Sequence, residues 1–403
     1  MWGTKNMTFN KKKENNTIFD IVVIGAGPAG IAFACGFADT NIKIAIVDKL
    51  PRPNIANPKI DGREIALTHN SIKILKKLNV WRYISSKSIS VIKEARILDG
   101  NSRYFLNFNH QEIQKENLGY LIPNYVIRKN LYKRLRKISN ITLMHKAECL
   151  SINTDKQYSS IELSNGKKIK TTLVVAADSR FSKIRSKVGI PAFIRDFNKD
   201  MIVCRMKHEK PHKNIAYEFF RYNQTQASLP YIKSQSGIIT TASKDLTSNL
   251  MKMDEKRFNN EMENSFNNFF GKMKLLGKRY SYPMITTYTK QFVSHRFAVI
   301  GDAAVGLHPV TAHGFNLGLK GLDILIKEIR SAIKDRTDIG STSVLKNYQT
   351  KLHFAAAPIY LATNSIINLY TSTILPAKFT RQFILRFVNT VKPAKQAFLN
   401  MLK

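Results

Sequence analysis

The chain has 403 residues, 43% of them hydrophobic, which suits a large nucleotide-binding domain with a second domain inserted and supplies a sizeable core. Lys and Arg number 64 against 28 Asp and Glu; the resulting charge of +36 favours anionic partners, but no zinc finger, RNP aromatic pair or basic region with heptads accompanies it, so nucleic acid is not expected. Cys35, Cys149 and Cys204 lie far apart and outside any CxxC pattern, which argues against a disulfide framework or structural zinc and fits a reducing, cytoplasmic setting.

Residues 1–17 read as a basic, disordered lead-in without the apolar core of a secretory signal. Asp20 to Ile24 is a β-branched apolar run opening into Gly25-Ala26-Gly27-Pro28-Ala29-Gly30. A small-residue helix, Ile31 to Phe37, and a second run, Ile42 to Val47, follow. In such a strand, turn, helix, strand unit Gly25 permits the tight turn, Gly27 lets backbone approach a pyrophosphate and Gly30 allows close helix–strand contact. Asp48 then stands where a carboxylate accepts hydrogen bonds from a ribose. The pattern indicates a dinucleotide and does not separate FAD from NAD.

Asn70 and Ser71 offer caps for a helix through Leu78, and strands are expected at Ala95 to Leu98, Ile141 to His145, Ser160 to Leu163 and Thr172 to Ala176. Between about Pro191 and Pro283 alternating runs and one helix-like stretch, Lys256 to Phe270, predict a mixed sheet with a covering helix. The strand Phe297 to Ile300 and a glycine-punctuated helix from Gly314 to about Ala332 return to the first pattern. The fold class is therefore α/β: a Rossmann-type domain (18–190 and 284–340), an inserted mixed-sheet substrate domain (191–283) and a C-terminal helical segment (341–403).

Phe354 to Pro376 is uncharged but carries Asn364, Asn368 and several hydroxyls, so a membrane span is not expected there. Beyond Ile339 no acidic residue occurs, while Phe379, Phe383, Phe387 and Val391 recur at helical spacing among Arg381, Arg386, Lys392 and Lys395. That predicts either an interfacial amphipathic helix on a membrane surface or a helix packed on the protein itself.

The motifs Gly301-Asp302-Ala303-Ala304, His308-Pro309 and Gly314-Phe315-Asn316-Leu317-Gly318-Leu319 make the reading more specific. With the N-terminal glycine motif they resemble the class A FAD-dependent aromatic hydroxylases, and Asp61 to Leu67, Asn124 to Leu131 and Ala177 to Arg185 resemble further segments of the ubiquinone-biosynthesis branch, most closely its demethoxyubiquinone hydroxylases. The resemblance implies FAD as cofactor and NAD(P)H as donor. Asp302 is then expected at the ribityl chain, Gly314, Phe315 and Asn316 at the flavin pyrimidine, Arg63 and Arg128 near the cofactor, and Asp178 in the motif that handles FAD and pyridine nucleotide. Gly25, Gly27, Ala29, Gly30 and Asp48 complete the expected cofactor set.

The same resemblance implies O2, a polyprenylated aromatic substrate, oxygen transfer through a flavin C4a-hydroperoxide, and a cytoplasmic protein peripheral to the membrane or gathered with other quinone-synthesis proteins. Three departures stand out: Ser179 where the family has glycine, Val305 where a histidine commonly follows GDAA, and His313 where glutamine is frequent. A flavin-dependent reductase of an isoprenoid or quinone, or a non-catalytic accessory subunit, are the alternatives. No metal site and no side-chain nucleophile is expected, and no catalytic residue is assigned. His308 and Pro309 either shape a turn or line the flavin face.

Overall fold

The computed structural model describes residues 17–100, 104–221, 224–309, 312–371, 381, 386–391, 393 and 395–396. Five strands lie parallel and side by side: Ile141–His145, Ile44–Asp48, Thr17–Ile24, Lys168–Ala176 and Phe297–Val299. Ile21 to Val23 and Ile44 to Ile46 have no exposed surface, because helices or an antiparallel ribbon cover both faces of a parallel layer and continuous apolar runs are what such a position requires. The ribbon is Cys149–Thr154 with Ser159–Leu163, while Pro28–Cys35 and Gly314–Lys334 pack together within the same large core.

The second sheet has eight strands, and the three long ones at its centre are Met273–Thr289, Ala192–His208 and Gln235–Ser243. Beyond them lie Gln224–Pro230 and Ile215–Arg221, and then Glu94–Asp99 and Phe105–Asn109. The last two come from the stretch expected to build the nucleotide-binding layer; Glu94–Asp99 pairs in parallel with Ile215–Arg221. Alternation along a strand specifies its two faces, not its partner, so sheet membership was not readable there.

One face of this sheet is covered by two helices, Lys244–Lys252 and Glu255–Ser265, over a core of Tyr217, Phe219, Phe258, Phe266 and Phe270. The single helix expected to Phe270 stops at Ser265 because Asn267 and Asn268 turn left-handed, φ +51° and +53°. The opposite face, with Phe220 and Leu229, packs against Ala66, Leu121, Ile366 and Leu369. A small third sheet, Glu64–Leu67, Gly119–Pro123 and Ser90–Ile92, supplies two of these; the helix Thr342–Thr371, which runs on through Pro358, supplies the other two.

The C-terminal segment contacts its own protein. Arg381 is buried with its Nε 3.7 Å from the buried carboxylate of Asp99, Val388 is buried, and Lys395 pairs with Glu112 at 2.9 Å. Of the two alternatives the sequence left open, these contacts are those of a segment packed on its own protein: acidic residues on Glu94–Asp99 and at the turn of Glu112 take up Arg381 and Lys395. Phe387 is 47% exposed, and Phe379 and Phe383 lie outside the described residues. Among the described residues no helix is long and apolar enough to cross a membrane.

Candidate functional site: a flavin cradle and an adjoining cavity

The carboxyl ends of four parallel strands meet in one place, the position where open α/β sheets bind their ligands. Gly25 follows the first strand and donates its N–H to Val47 O at 2.8 Å, and Ala177 N–H, after the strand Lys168–Ala176, donates to Ile24 O at 2.8 Å. Gly25 adopts φ +112°, and a Cβ there would stand 2.5 Å from Ala177 O; a Cβ at Gly30 would stand 2.0 Å from Gly25 O. A Cβ at Gly27 would meet no protein atom within 4 Å, so the glycine's clearance faces open space at the N-terminus of Pro28–Cys35. That N-terminus has no side-chain cap and no acidic residue in its first turn, which suits an anion such as pyrophosphate.

Asp48 closes the second strand and accepts hydrogen bonds from Ala26 N (2.6 Å) and Leu50 N (2.7 Å), tying the glycine turn to its own strand end. Arg63 and Arg128 are brought to the same side and differ in what they touch. Arg63 donates to Asp61 through Nε (3.1 Å) and Nη2 (2.7 Å) and lies over the ring of Tyr282, so its fork is taken. Arg128, partly buried on the helix Asn124–Leu135, donates to no group among the described residues. Burial holds its guanidinium somewhat below its usual range, and the charges that reach it are Asp61, Arg63 and Asp48. Of the two expected arginines it is the one with donors available to a ligand.

The loop at Gly301-Asp302 leaves the strand Phe297–Val299 and packs on the glycine motif: Gly301 adopts φ +60°, and a Cβ there would come within 2.7 Å of the Ala29 Cβ. Asp302 is 44% exposed and pairs with Arg180 Nη2 at 3.0 Å; Arg180 Nη1 donates to Ile285 O at 2.7 Å. Arg185 is buried and donates to Ala303 O at 3.0 Å. Both arginines belong to the Ala177–Arg185 segment, so its role in the fold is to clamp the Asp302 loop. Neither was named as a site residue, although both stood in the motif.

Asp178, by contrast, accepts from Ser182 Oγ (2.5 Å) and Ile184 N (3.3 Å); it closes the turn into the helix Lys183–Lys187. Ser179 sits at φ +95°, the conformation for which a glycine is suited.

The helix Gly314–Lys334 begins beside this loop with no side-chain cap and no acid in its first turn. Phe315 is partly buried against the main core. Asn316 Oδ1 accepts from Thr68 N (3.0 Å) and Ser71 Oγ (2.6 Å), while its Nδ2 donates to Ala66 O (2.8 Å). Its side chain thus locks the helix start to the third sheet and leaves backbone amides to face a ligand.

His308 is 5% exposed and stacks edge-to-face on Phe197 at 5.3 Å. Burial, reinforced by the charges of Lys199 and Arg180, pushes its imidazole down to about 3, so it is neutral near pH 7. It lines a cavity of about 220 Å³ whose other walls are Arg195, Asp196, Phe197, Lys199, Phe220, Thr225 and Thr241 of the second sheet and Ile367 of Thr342–Thr371. Pro309 adjoins it and is partly exposed. None of the sheet residues was singled out from sequence; their spacing carries only strand alternation. No group of three or more His, Cys, Asp or Glu that could hold a metal occurs among the described residues.

The profile of a family described as an FAD binding domain matches residues 19–360. Ubiquinone hydroxylase UbiM of Neisseria meningitidis is 36% identical to the chain over 387 residues, covering 95% of this chain and 84% of that protein. The chain belongs to the class A flavin monooxygenases. Ubiquinone hydroxylase UbiL of Rhodospirillum rubrum is 27% identical over 95% of the chain and 89% of the relative. The fold matches the crystal structure of p-nitrophenol 4-monooxygenase PnpA from Pseudomonas putida with a TM-score of 0.77 at 14% identity, covering 96% of this chain and 98% of that one. As a class A flavin monooxygenase the chain binds FAD. The cradle fits that group: an uncapped helix start faces open space at Gly27, and the Arg128 guanidinium beside it has donors to spare.

Proposed function

We propose that this enzyme hydroxylates the aromatic ring of a polyprenylated ubiquinone precursor, of the demethoxyubiquinol type, using O2 and electrons from NAD(P)H, the donor typical of the family. The observation that carries the reading is the position of the cavity: His308, seven residues into the motif that begins at Gly301, forms one wall, and the second sheet forms the other. FAD, when bound, would pass electrons to dioxygen and activate it, so that one atom of O2 enters the ring and the other leaves as water.

The residues of the chain divide the remaining work. Gly25, Gly27, Ala29 and Gly30 would hold the pyrophosphate at the first helix start, with Arg128 neutralising it and Asp48 receiving the adenosine ribose. Asp302 would receive the ribityl hydroxyls, its orientation fixed by Arg180. The backbone at Gly314, Phe315 and Asn316 would face the flavin pyrimidine, where a helix start favours negative charge on the reduced ring. Arg63 is placed here as a residue that holds Asp61 and Tyr282 at the cradle's edge, and Asp178 as one that shapes the turn carrying Arg180. His308 and Pro309 would border the reacting ring. The neutral imidazole of His308, Phe197, Phe220 and Ile367 give the cavity an apolar side on which a ring can rest, while Arg195, Asp196 and Lys199 make the rest of its lining charged.

We place the enzyme in the cytoplasm, peripheral to the membrane that holds its substrate. The net charge of +36 and the exposed Phe354, Leu361 and Phe387 support this. Under 18O2 the FAD-loaded enzyme, NAD(P)H and a short-chain demethoxyubiquinol are expected to give a product heavier by one 18O atom. A reduced product without label would instead identify a reductase.

A further inference from the structure

The cavity is too small for the whole of a polyprenylated substrate. Its volume of about 220 Å³ falls below the roughly 300–1,000 Å³ of sites that enclose a drug-sized ligand, so it takes a substituted ring and leaves a polyprenyl chain outside. Where the chain leaves is set by the lining. Phe220, Thr241, His308 and Ile367 are buried, whereas Arg195 and Asp196 are exposed, so the mouth lies at these two. Arg195 lies over the Phe197 ring at 4.4 Å and donates from Nη2 to Asn368 Oδ1 at 2.8 Å; Asp196 is paired with Lys244 at 3.6 Å. Asn368 belongs to the helix Thr342–Thr371, one residue beyond the cavity residue Ile367.

From Asn368 an exposed stripe runs back along that helix through Ser365, Leu361 and Pro358 to Phe354, in steps of three and four residues and over about 20 Å. Phe354 is 79% and Leu361 64% exposed, and the helix carries no Lys, Arg, Asp or Glu between Leu352 and Thr371. On the side turned toward the second sheet, His353 and Tyr360 touch Tyr288. Phe193 is the cross-strand partner of Tyr288 and so shares its face; it is 59% exposed, with Lys290 Nζ 5.2 Å from its ring centre. Apolar side chains that face solvent, bordered by Arg195 and Lys290 in a chain with no acidic residue beyond Asp338, complement a surface that is apolar within and anionic at its rim.

We propose that this face, Phe354, Leu361 and Phe193 rimmed by Arg195 and Lys290, is the surface by which the enzyme docks on an anionic lipid bilayer, and that docking turns the cavity mouth toward the membrane. The inference rests on the reading of the substrate as polyprenylated. Phe354 and Leu361 enter the acyl boundary, and Ser365 and Asn368 lie at headgroup level. The ring passes the Arg195–Asn368 contact while its chain stays in the lipid, so the apolar chain never crosses water.

The test measures flotation of the full-length, FAD-loaded enzyme with vesicles of phosphatidylglycerol and phosphatidylcholine. The double variant Phe354→Glu, Leu361→Glu is expected to bind at least roughly tenfold more weakly, since each side chain forfeits its burial in lipid and gains a charge that the headgroups repel. Leu150→Glu, the same change at an exposed residue of the ribbon Cys149–Thr154, should bind within about twofold of wild type. Hydroxylation separates docking from chemistry. The double variant should keep its rate on a short-chain demethoxyubiquinol in solution and lose at least roughly tenfold on a long-chain one held in the vesicles. Vesicle binding by the double variant equal to that of wild type overturns the proposal, as does a wild type that stays in the soluble fraction. A wild-type dimer that the double variant splits into monomers, with no vesicle binding by either, assigns the stripe to a second copy and overturns it too. A wild type that floats but hydroxylates neither substrate supports the docking face and removes the hydroxylase reading.

Discussion

Ser179 and His308 show how single residues bear on stability here. Ser179 holds φ +95° with a side chain, at a position where the turn after Asp178 calls for glycine. Ser179→Gly is expected to raise stability by about 1 kcal/mol, measured by urea unfolding, because strain of that order is released. Burial holds His308 neutral in the folded protein down to its titration at about 3, whereas it titrates near 6.5 when unfolded. The unfolded state therefore binds the extra proton between those values, so this contribution is complete above pH 6.5 and declines as pH falls towards 3. Between pH 6 and pH 4 the loss from this group should approach 1.4 kcal/mol per pH unit, and His308→Gln should remove that part of the slope. Unfolding curves at several pH values for both proteins check this. Sequence named His308 but left open whether it shapes a turn or lines the flavin face; its place in the cavity wall was not readable, because Phe197, which it stacks on, lies more than a hundred positions away.

At the scale of elements, the strand, glycine turn and helix that open the chain were legible because their requirements are local. The clearance at Gly25 and Gly30 involves the neighbouring strand ends and the turn itself. The glycines nevertheless differ in kind. Gly30→Ala places a Cβ 2.0 Å from a carbonyl oxygen and is expected to prevent formation of the turn, so purified protein should be colourless and unstable. Gly27→Ala meets no protein atom. Its apoprotein should unfold within about 0.5 kcal/mol of wild type while FAD affinity drops at least roughly tenfold, measured by fluorescence titration. Less legible were the elements whose meaning depends on a partner. Asp178 and Asn316 look like ligands because they are polar residues in motifs, yet their side chains are occupied by the turn at Ser182 and by Thr68, Ser71 and Ala66. Arg180 and Arg185 clamp the Asp302 loop, a pairing across more than a hundred residues that spacing cannot reveal.

For the whole molecule, the parallel layer was readable from its continuous apolar strands. The second sheet was readable only in part, since Glu94–Asp99 and Phe105–Asn109 join it from outside the expected insertion. The same limit applied to the C-terminus: helical periodicity predicted an apolar stripe but not that Asp99 would take up Arg381. Arg381→Ala leaves the buried Asp99 without that partner and is expected to destabilise the protein by about 3 kcal/mol. Liposome sedimentation of the folded fraction should change little, because the guanidinium faces the sheet and not the solvent.

The most direct test of the hydroxylase assignment is the quinone profile, by mass spectrometry of lipid extracts, of bacterial hosts each lacking one ubiquinone hydroxylase and expressing this chain. Restored ubiquinone in at least one host is the predicted result, and the host restored identifies the ring position. Unrelieved accumulation of precursor in every host, with the protein present and yellow with bound FAD, would contradict it.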